Sequence, residues 1–329
     1  MSKIIRIGTR KSALALVQTE LIAEALERTW PDIEIEIVTK DTLGDKILDK
    51  PLQEFGGKGV FVSELEQAIL DGTIDLAVHS AKDMPMELAP GLALVAVSER
   101  EDPRDVLVTL KERNETGRKY TEGGYISAAD SRQQKAFGCQ KFVIGTSSPR
   151  RQLLASLRTI PAGLCPKKAL IRCETLRGNV PTRLRKLKEG QYDGIILAAA
   201  GLKRLGLLEA KEESPYEFHF LQPEVFIPAG GQGIMVVEGV SGSEAASLCA
   251  SVDNREGRIC LTLERRILEL LEAGCHEPIG VYSRICQGKA RLWGISSRKG
   301  CIRRVCLESG LTPQELELMA QEAAGKLSP

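Results

Sequence analysis

Apolar and polar positions along the first hundred residues change period several times. Residues 4–8 form an apolar run of strand length, residues 12–30 carry helical spacing, and residues 34–39 alternate apolar and polar positions as a half-buried strand does. Helical spacing returns at 62–70, with Leu65, Ala68 and Ile69 on one side, and strand-length runs follow at 74–78 and 92–97. This alternation predicts an α/β domain on a mostly parallel sheet. A strand at 106–109 is followed by a polar, charged, glycine-containing stretch without a period, so residues about 110–141 read as a long surface insertion. The pattern then resumes as strand 142–145, helix 149–158, strand 169–173, helix 180–188 and strand 194–197, which predicts a second α/β unit.

The last hundred residues read differently. A strand at 234–237 and a helix at 243–251 precede a helix at 256–271, whose Ile259, Leu263, Ile267 and Leu270 share one face. Strand signals at 281–285, 290–293 and 302–307 then lie close together with no long helix between them, which predicts a small α+β domain. Thr312, Pro313 and Glu315 combine a capping box with proline at the first helical position, so a helix is expected over 313–326. No internal repeat or low-complexity segment interrupts this plan.

Composition narrows the classes of function. With 329 residues, 43% hydrophobic and 27% charged, the chain has the make-up of a globular protein of two or three domains. No apolar run approaches the roughly 18 to 20 residues that span a bilayer, and the N-terminus moves straight into strand-like sequence, so the cytoplasm is expected. Nine cysteines, widely spaced and without a Cys-x-x-Cys pair, support neither a disulfide framework nor a zinc ribbon. The three histidines, His79, His219 and His276, are too far apart in sequence to suggest a transition-metal centre, and no metal is expected. Forty-five basic against 44 acidic residues, with 4% aromatic, argue against a nucleic-acid surface. Any positive site is therefore local.

Cations do cluster after the strands, where ligands of α/β sheets bind. Gly8-Thr9-Arg10-Lys11-Ser12 follows the first strand, and Thr146-Ser147-Ser148-Pro149-Arg150-Arg151 opens a later helix with hydroxyls and two guanidiniums. Arg177, Arg183 and Arg204 follow further strands. Serine and threonine also cap helices, and arginines of a first turn are commonly solvated, so the repetition carries the signal rather than any one motif. Several guanidiniums delivered by different loops suit a ligand with several carboxylates better than a single phosphate, and no Walker-type loop is present. Gly56-Gly57-Lys58-Gly59 is too short for one. Asp83, in Val78-His79-Ser80-Ala81-Lys82-Asp83-Met84-Pro85, is an acid at a strand mouth among cations. It could stabilise a cation, move a proton, or balance Lys82. Cys275, in Ala273-Gly274-Cys275-His276-Glu277-Pro278, sits in a turn-prone stretch where a thiol is accessible to chemistry.

Together these motifs resemble the hydroxymethylbilane synthase, or porphobilinogen deaminase, family over nearly the whole chain. The matching segments are GTRKSALAL at 8–16, GGKGVFVSELE at 56–66, DLAVHSAKDMP at 75–85, EREDPRDV at 99–106, GTSSPRRQ at 145–152, LRGNVPTRL at 176–184, DGIILAAAGLKRLGL at 193–207, PAGGQG at 228–233 and EAGCHEPIG at 272–280. The resemblance implies an α/β fold of two periplasmic-binding-protein-like α/β domains plus a small C-terminal α+β domain. The first would be discontinuous, at 1–99 and 232–252; the second would span 104–228 with the insertion, and the third 256–329. It implies a dipyrromethane cofactor held covalently by a thioether to Cys275, and condensation of four porphobilinogen molecules with loss of ammonia, ended by hydrolysis. Asp83 falls on the family's catalytic aspartate. Arg10, Ser12, Lys58, Ser80, Lys82, Thr146, Ser147, Ser148, Arg150, Arg151, Arg177, Arg183, Arg204 and Gln232 fall on positions that contact cofactor or substrate. The partner implied is small-molecule porphobilinogen, with no nucleic acid or membrane, and the state implied is a monomer.

Four positions depart from the usual family pattern: Ser63 where lysine is common, Pro149 where leucine is, Gly230 where valine is, and Ala273 where a second glycine is. None removes a group the chemistry requires, although Ser63 forgoes one cation. A rival class is a carboxylate receptor without catalysis, which the fold permits but which needs neither Asp83 nor Cys275. A cysteine hydrolase lacks a third orienting group.

Overall fold

The computed structural model describes residues 3–40, 62–111, 141–161, 164, 169–209, 214–274 and 277–329. Residues 112–140 of the expected insertion, Lys58 and Cys275 lie outside the described residues. The chain forms two compact units, one from Met1–Pro103 with Pro228–Pro329 and one from Arg104–Ile227.

Two sheets build the first unit. Strands β1 (Lys3–Arg10), β2 (Ile33–Lys40), β3 (Leu76–Ser80), β4 (Leu92–Val97) and β10 (Met235–Val240) assemble in the order β2-β1-β3-β10-β4. The pairings of β1 with β2 and β3 are parallel, as expected. Those of β10 with β3 and β4 are antiparallel, so half of the pairings depart from the mostly parallel sheet. The cause is connectivity: β10 returns from the second unit, free of the crossover helix that makes a neighbour parallel.

Both faces of this sheet are covered. Helix α1 (Ala13–Thr29) starts at Ser12, whose Oγ accepts from Ala15 N at 3.3 Å. Its Ile22 and Leu26, four apart on one face, pack on Ile5, Ile7, Leu76, Val78, Met235 and Val237. Helix α2 (Ser63–Leu70) lays Leu65, Ala68 and Ile69 over Ile74, Ala77 and Leu92 on the opposite face.

The second sheet of this unit is an antiparallel meander of β11 (Ile279–Cys286), β12 (Lys289–Arg298) and β13 (Cys301–Ser309). Helix α7 (Arg255–Leu270) and helix α8 (Pro313–Leu327) cover one face, burying Leu263, Ile267, Val281, Leu292 and Leu327. The capping box is present as expected, with Glu315 N donating to Thr312 Oγ1 and Thr312 N to Glu315 Oε2.

Helix α7 begins hard against the end of β4. A Cβ on Gly257 would stand 2.2 Å from the Ser98 carbonyl oxygen, which is backbone and does not swing aside. Gly257→Ala is therefore expected to destabilise the unit by about 1–3 kcal/mol, an overpacking cost, read as a lower denaturation midpoint. An unchanged midpoint would mean that α7 shifts freely along β4.

The second unit repeats the plan of the first sheet. Strands β5 (Asp105–Leu110), β6 (Lys141–Gly145), β7 (Leu170–Glu174), β8 (Gly194–Ala198) and β9 (Tyr216–Phe220) take the order β7-β6-β8-β5-β9, with β5 antiparallel to β8 and β9. The sheet carries helices α3 (Pro149–Ser156), α4 (Val180–Lys188) and α5 (Ala199–Arg204), while a short α6 (Glu244–Leu248) belongs to the first unit. Strand β9 and helix α5 have no counterpart in the sequence-based expectation. The helix expected over 149–158 stops at Ser156, and Arg158 takes a left-handed φ of 54°. Among the described residues no helix is long and apolar enough to cross a membrane.

Candidate active site

In the first unit, the expected site residues sit where strands end. Arg10 closes β1, and Ser12 caps α1. Ser80 closes β3 and exchanges hydrogen bonds with the buried Gln18, at 3.0 and 3.2 Å. The sequence reading passed over Gln18, whose signal was a polar residue on the inward face of an apolar helix.

Lys82 and Asp83 follow β3 in a 3-10 turn, Ala81–Asp83. Ala81 N donates to the Ile234 carbonyl at 3.0 Å, and Met84 is buried against Val97, Val236 and Leu261. The backbone on either side of Asp83 is thus fixed, while its side chain is exposed and takes no hydrogen bond or ion pair among the described residues.

Gln232 is buried, and its Nε2 donates to the Pro103 carbonyl at 2.7 Å. Its loop hangs on Glu264 of α7, an acid with no exposure that the sequence reading also missed. Glu264 accepts from Gly231 N, Arg100 Nη2 and Ser283 N, each at 2.7 Å, and from Ser283 Oγ at 2.8 Å. One carboxylate therefore ties the 228–233 loop, the β4 exit and the C-terminal sheet together. Helix α7 then ends at Leu270, and Glu272 turns the chain at φ 50° just before the Cys275 stretch.

In the second unit, the 145–151 loop spends most of its hydroxyls on itself. Ser148 caps α3, with Arg151 N donating to its Oγ at 3.4 Å, and Ser148 N donates to Thr146 Oγ1 at 3.2 Å. Ser147 Oγ donates to the Leu176 carbonyl at 2.9 Å and accepts from Leu176 N at 3.1 Å, joining this loop to the one that carries Arg177. Arg183 Nε donates to the Gly178 carbonyl at 2.7 Å, and Arg204 ends α5.

Arg150 and Arg151 are not the solvated first-turn arginines that their position allows. Both are buried on Asp105, the first residue of β5. Arg150 Nη1 donates to Asp105 Oδ2 and to the Ile227 carbonyl, both at 2.7 Å. Arg151 donates from Nε and Nη2 to Asp105 Oδ1 at 3.0 and 2.7 Å, and from Nη1 to the Ile196 carbonyl at 2.8 Å. Burial alone would push the Asp105 carboxyl up. The guanidiniums of Arg150 and Arg151 outweigh it and hold the group down at about 2. Two guanidiniums against one carboxylate leave one positive charge in excess, and Arg150 Nε is buried without a hydrogen-bond partner among the described residues. Both features fit an incoming carboxylate.

The structure also explains three of the four departures. Pro149 takes the first turn of α3, where no N–H is needed. The space a side chain would occupy at Gly230 is filled by Leu268, whose Cδ1 would lie 2.9 Å from a Cβ there. Ala273 packs on the C-terminal core. Ser63 opens α2 and is exposed; nothing in the structure accounts for the loss of lysine there.

These features define a class: an α/β protein with two periplasmic-binding-protein-like five-stranded sheets, whose strand-end loops carry arginines in each unit and, in the first, an exposed carboxylate. A family model described as the porphobilinogen deaminase dipyromethane cofactor binding domain matches residues 5–247, and the porphobilinogen deaminase C-terminal domain matches residues 258–327. A porphobilinogen deaminase of Roseiflexus sp. (strain RS-1) is 42% identical over 303 residues, covering 91% of this chain and 88% of that one. Another, from Syntrophomonas wolfei subsp. wolfei, is 39% identical over 324 residues, covering 98% and 94%. The reduced OxyR regulatory domain of Pseudomonas aeruginosa is similar at a TM-score of 0.39 with 10% identity, over 76% of this chain and 97% of that one. The chain belongs to the porphobilinogen deaminase family.

Proposed function

We infer that the chain is a hydroxymethylbilane synthase, a transferase that joins four porphobilinogen molecules head to tail with release of ammonia and then frees hydroxymethylbilane by hydrolysis. The observation that carries the reading is Asp83, a carboxylate left exposed and unpaired among the described residues on a backbone fixed at both sides. Loss of ammonia from porphobilinogen leaves a cationic centre, and a preorganised carboxylate stabilises the charge as it develops. Each pyrrole carries two carboxylates. Arg10, Lys58, Lys82, Arg150, Arg151, Arg177, Arg183 and Arg204 supply the matching cations in this reading, and Ser12, Ser80, Thr146, Ser147, Ser148 and Gln232 supply neutral hydrogen-bonding groups.

The dipyrromethane cofactor, when bound, supplies the primer from which the product grows, and Cys275 is the proposed point of its thioether attachment. Arg150 fits its acidic side chains best, because its buried Nε lacks a partner among the described residues and the Asp105 cluster keeps an excess positive charge. The same reading keeps three domains, 1–99 with 232–252, 104–228 and 256–329. It takes porphobilinogen as the partner, with no nucleic acid or membrane partner, and a monomer in the cytoplasm.

Intact-mass measurement tests the reading directly. The active protein is expected to be heavier than its sequence by a dipyrromethane unit, and Cys275→Ser to lose both the added mass and turnover. An active protein with an unmodified mass would overturn it.

A further inference from the structure

The two edges of the C-terminal sheet differ. On β11, Val281 N donates to the Pro228 carbonyl at 3.1 Å and Ser283 N to Glu264 Oε1 at 2.7 Å, so the outward N–H groups of that edge are used within the unit. On β13, the other edge, every ladder partner lies on β12, and among the described residues no backbone group beyond β12 bonds to Cys301–Ser309. Alternate residues of an antiparallel edge strand turn N–H and C=O outwards, so β13 presents one unpaired side of a ladder.

The half of β13 next to the turn is open on both faces. Cys301, Ile302, Arg303 and Arg304 are exposed in succession, Ile302 at 47%, whereas Val305 is buried in the core with Met319 and Leu327. Consecutive side chains of a strand point to opposite faces, so a run without a buried member is covered on neither. The turn itself is fixed: Lys299 and Gly300 take left-handed φ values of 49° and 77°, as a two-residue hairpin turn requires. Lys299, Arg303 and Arg304 make no hydrogen bond or ion pair among the described residues. Their neighbours are matched, Arg298 by Glu277 and both Lys289 and Arg291 by Glu308.

We propose that the open edge of β13 docks an acidic, extended peptide of a partner protein, which adds to the sheet as a further strand. Unmatched cations beside unpaired backbone favour a strand over other occupants. Arg303 and Arg304 point to opposite faces, so a flat anionic surface meets only one of them, whereas an added strand carries side chains to both. A second copy of the chain would bring four guanidiniums onto one short ladder, and like charges opposite each other destabilise a strand pair. Ile302 shares the face of Arg304 and adds an apolar flank. The matching peptide therefore sets two adjacent acids opposite Arg303 and Arg304, with a β-branched residue beside them.

The test uses the full native chain and a fluorescein-labelled peptide with two adjacent glutamates flanked by valine and threonine, read by fluorescence anisotropy. This peptide is expected to bind at least about tenfold more tightly than its counterpart with lysines for the glutamates, and to weaken as ionic strength rises. Two further peptides carry N-methyl groups on alternate backbone nitrogens, one peptide for each alternate set. Strand addition predicts that one set abolishes binding and the other leaves it within about twofold, because only alternate N–H groups face the sheet. Arg303→Glu combined with Arg304→Glu should weaken binding at least about tenfold, while turnover and the thermal midpoint stay as in the native chain. No binding, equal binding of the acidic and lysine peptides, or equal behaviour of the two methylated peptides would overturn the proposal. Binding to phosphatidylglycerol vesicles in place of the peptide, or a native dimer that the double substitution dissociates, would overturn it in favour of a membrane or a second copy.

Discussion

Asp83→Ala is expected to lower kcat about 10²- to 10³-fold, the scale seen when one preorganised electrostatic group is removed from a transition state. Stability should hardly change. The side chain is exposed and has no partner among the described residues, and substitutions at such positions stay within about 0.5 kcal/mol. The turn is held by other groups, namely the Ala81 N to Ile234 carbonyl bond and the buried Met84. Asp83→Asn separates charge from shape. It keeps the size of the side chain and loses the negative charge, so it should be nearly as slow as alanine if stabilising a cation is the role. Steady-state turnover beside a thermal melt decides the matter. Near wild-type kcat in Asp83→Ala would remove the residue from the mechanism, and a fast Asp83→Asn would leave hydrogen bonding rather than charge as its contribution.

Elements that bury one continuous face were legible from the sequence. Helix α1 was expected over 12–30 and is found at Ala13–Thr29, because Ile22 and Leu26 repeat at helical spacing and Ser12 is a good cap. Strand β9 was missed although Tyr216, Phe218 and Phe220 alternate, since as an edge strand it buries only part of each ring and follows no apolar run. Helix α5, at Ala199–Arg204, is too short to show a period. The antiparallel entry of β10 and β5 could not be read at all, because strand direction depends on partners far along the chain, as in the pairing of Asp105 with Ala198 and of Val236 with His79.

The site shows the same division. Asp83 and the arginine loops stand in motifs, so their chemistry was visible along the chain. Asp105 and Glu264 were not singled out, because an acid gains its meaning there from tertiary partners: Arg150 and Arg151 for the first, Arg100, Gly231 and Ser283 for the second. Each left a faint trace. Asp105 opens the apolar run Val106-Leu107-Val108, and Glu264 takes an inward position between Cys260 and Ile267 on α7. A charge placed where the period asks for an apolar side chain marks a buried ion pair as readily as an error in the helix or strand assignment. The hydroxyls of Ser147 and Ser148 carry the converse lesson, since a motif suited to a ligand also builds the loop that displays it.

Asp105→Leu should be the most damaging single change to the second unit. It leaves Arg150 and Arg151 buried with no counter-charge, and removing one partner of a buried ion pair costs about 3–5 kcal/mol. Asp105→Asn keeps the shape and two lone pairs but not the charge, so it should fall between leucine and the native residue. The pH dependence identifies the cause. Because the folded carboxyl is lowered from 3.8 to about 2, its contribution is complete above 3.8 and is lost as pH falls through about 2. The native chain should therefore lose stability across that window relative to Asp105→Asn, and the gap between them should close in acid. Denaturation midpoints at neutral pH and between pH 4 and 2 measure both effects. A gap that persists unchanged at pH 2 would mean that packing around β5, rather than the carboxylate charge, holds the two arginines in place.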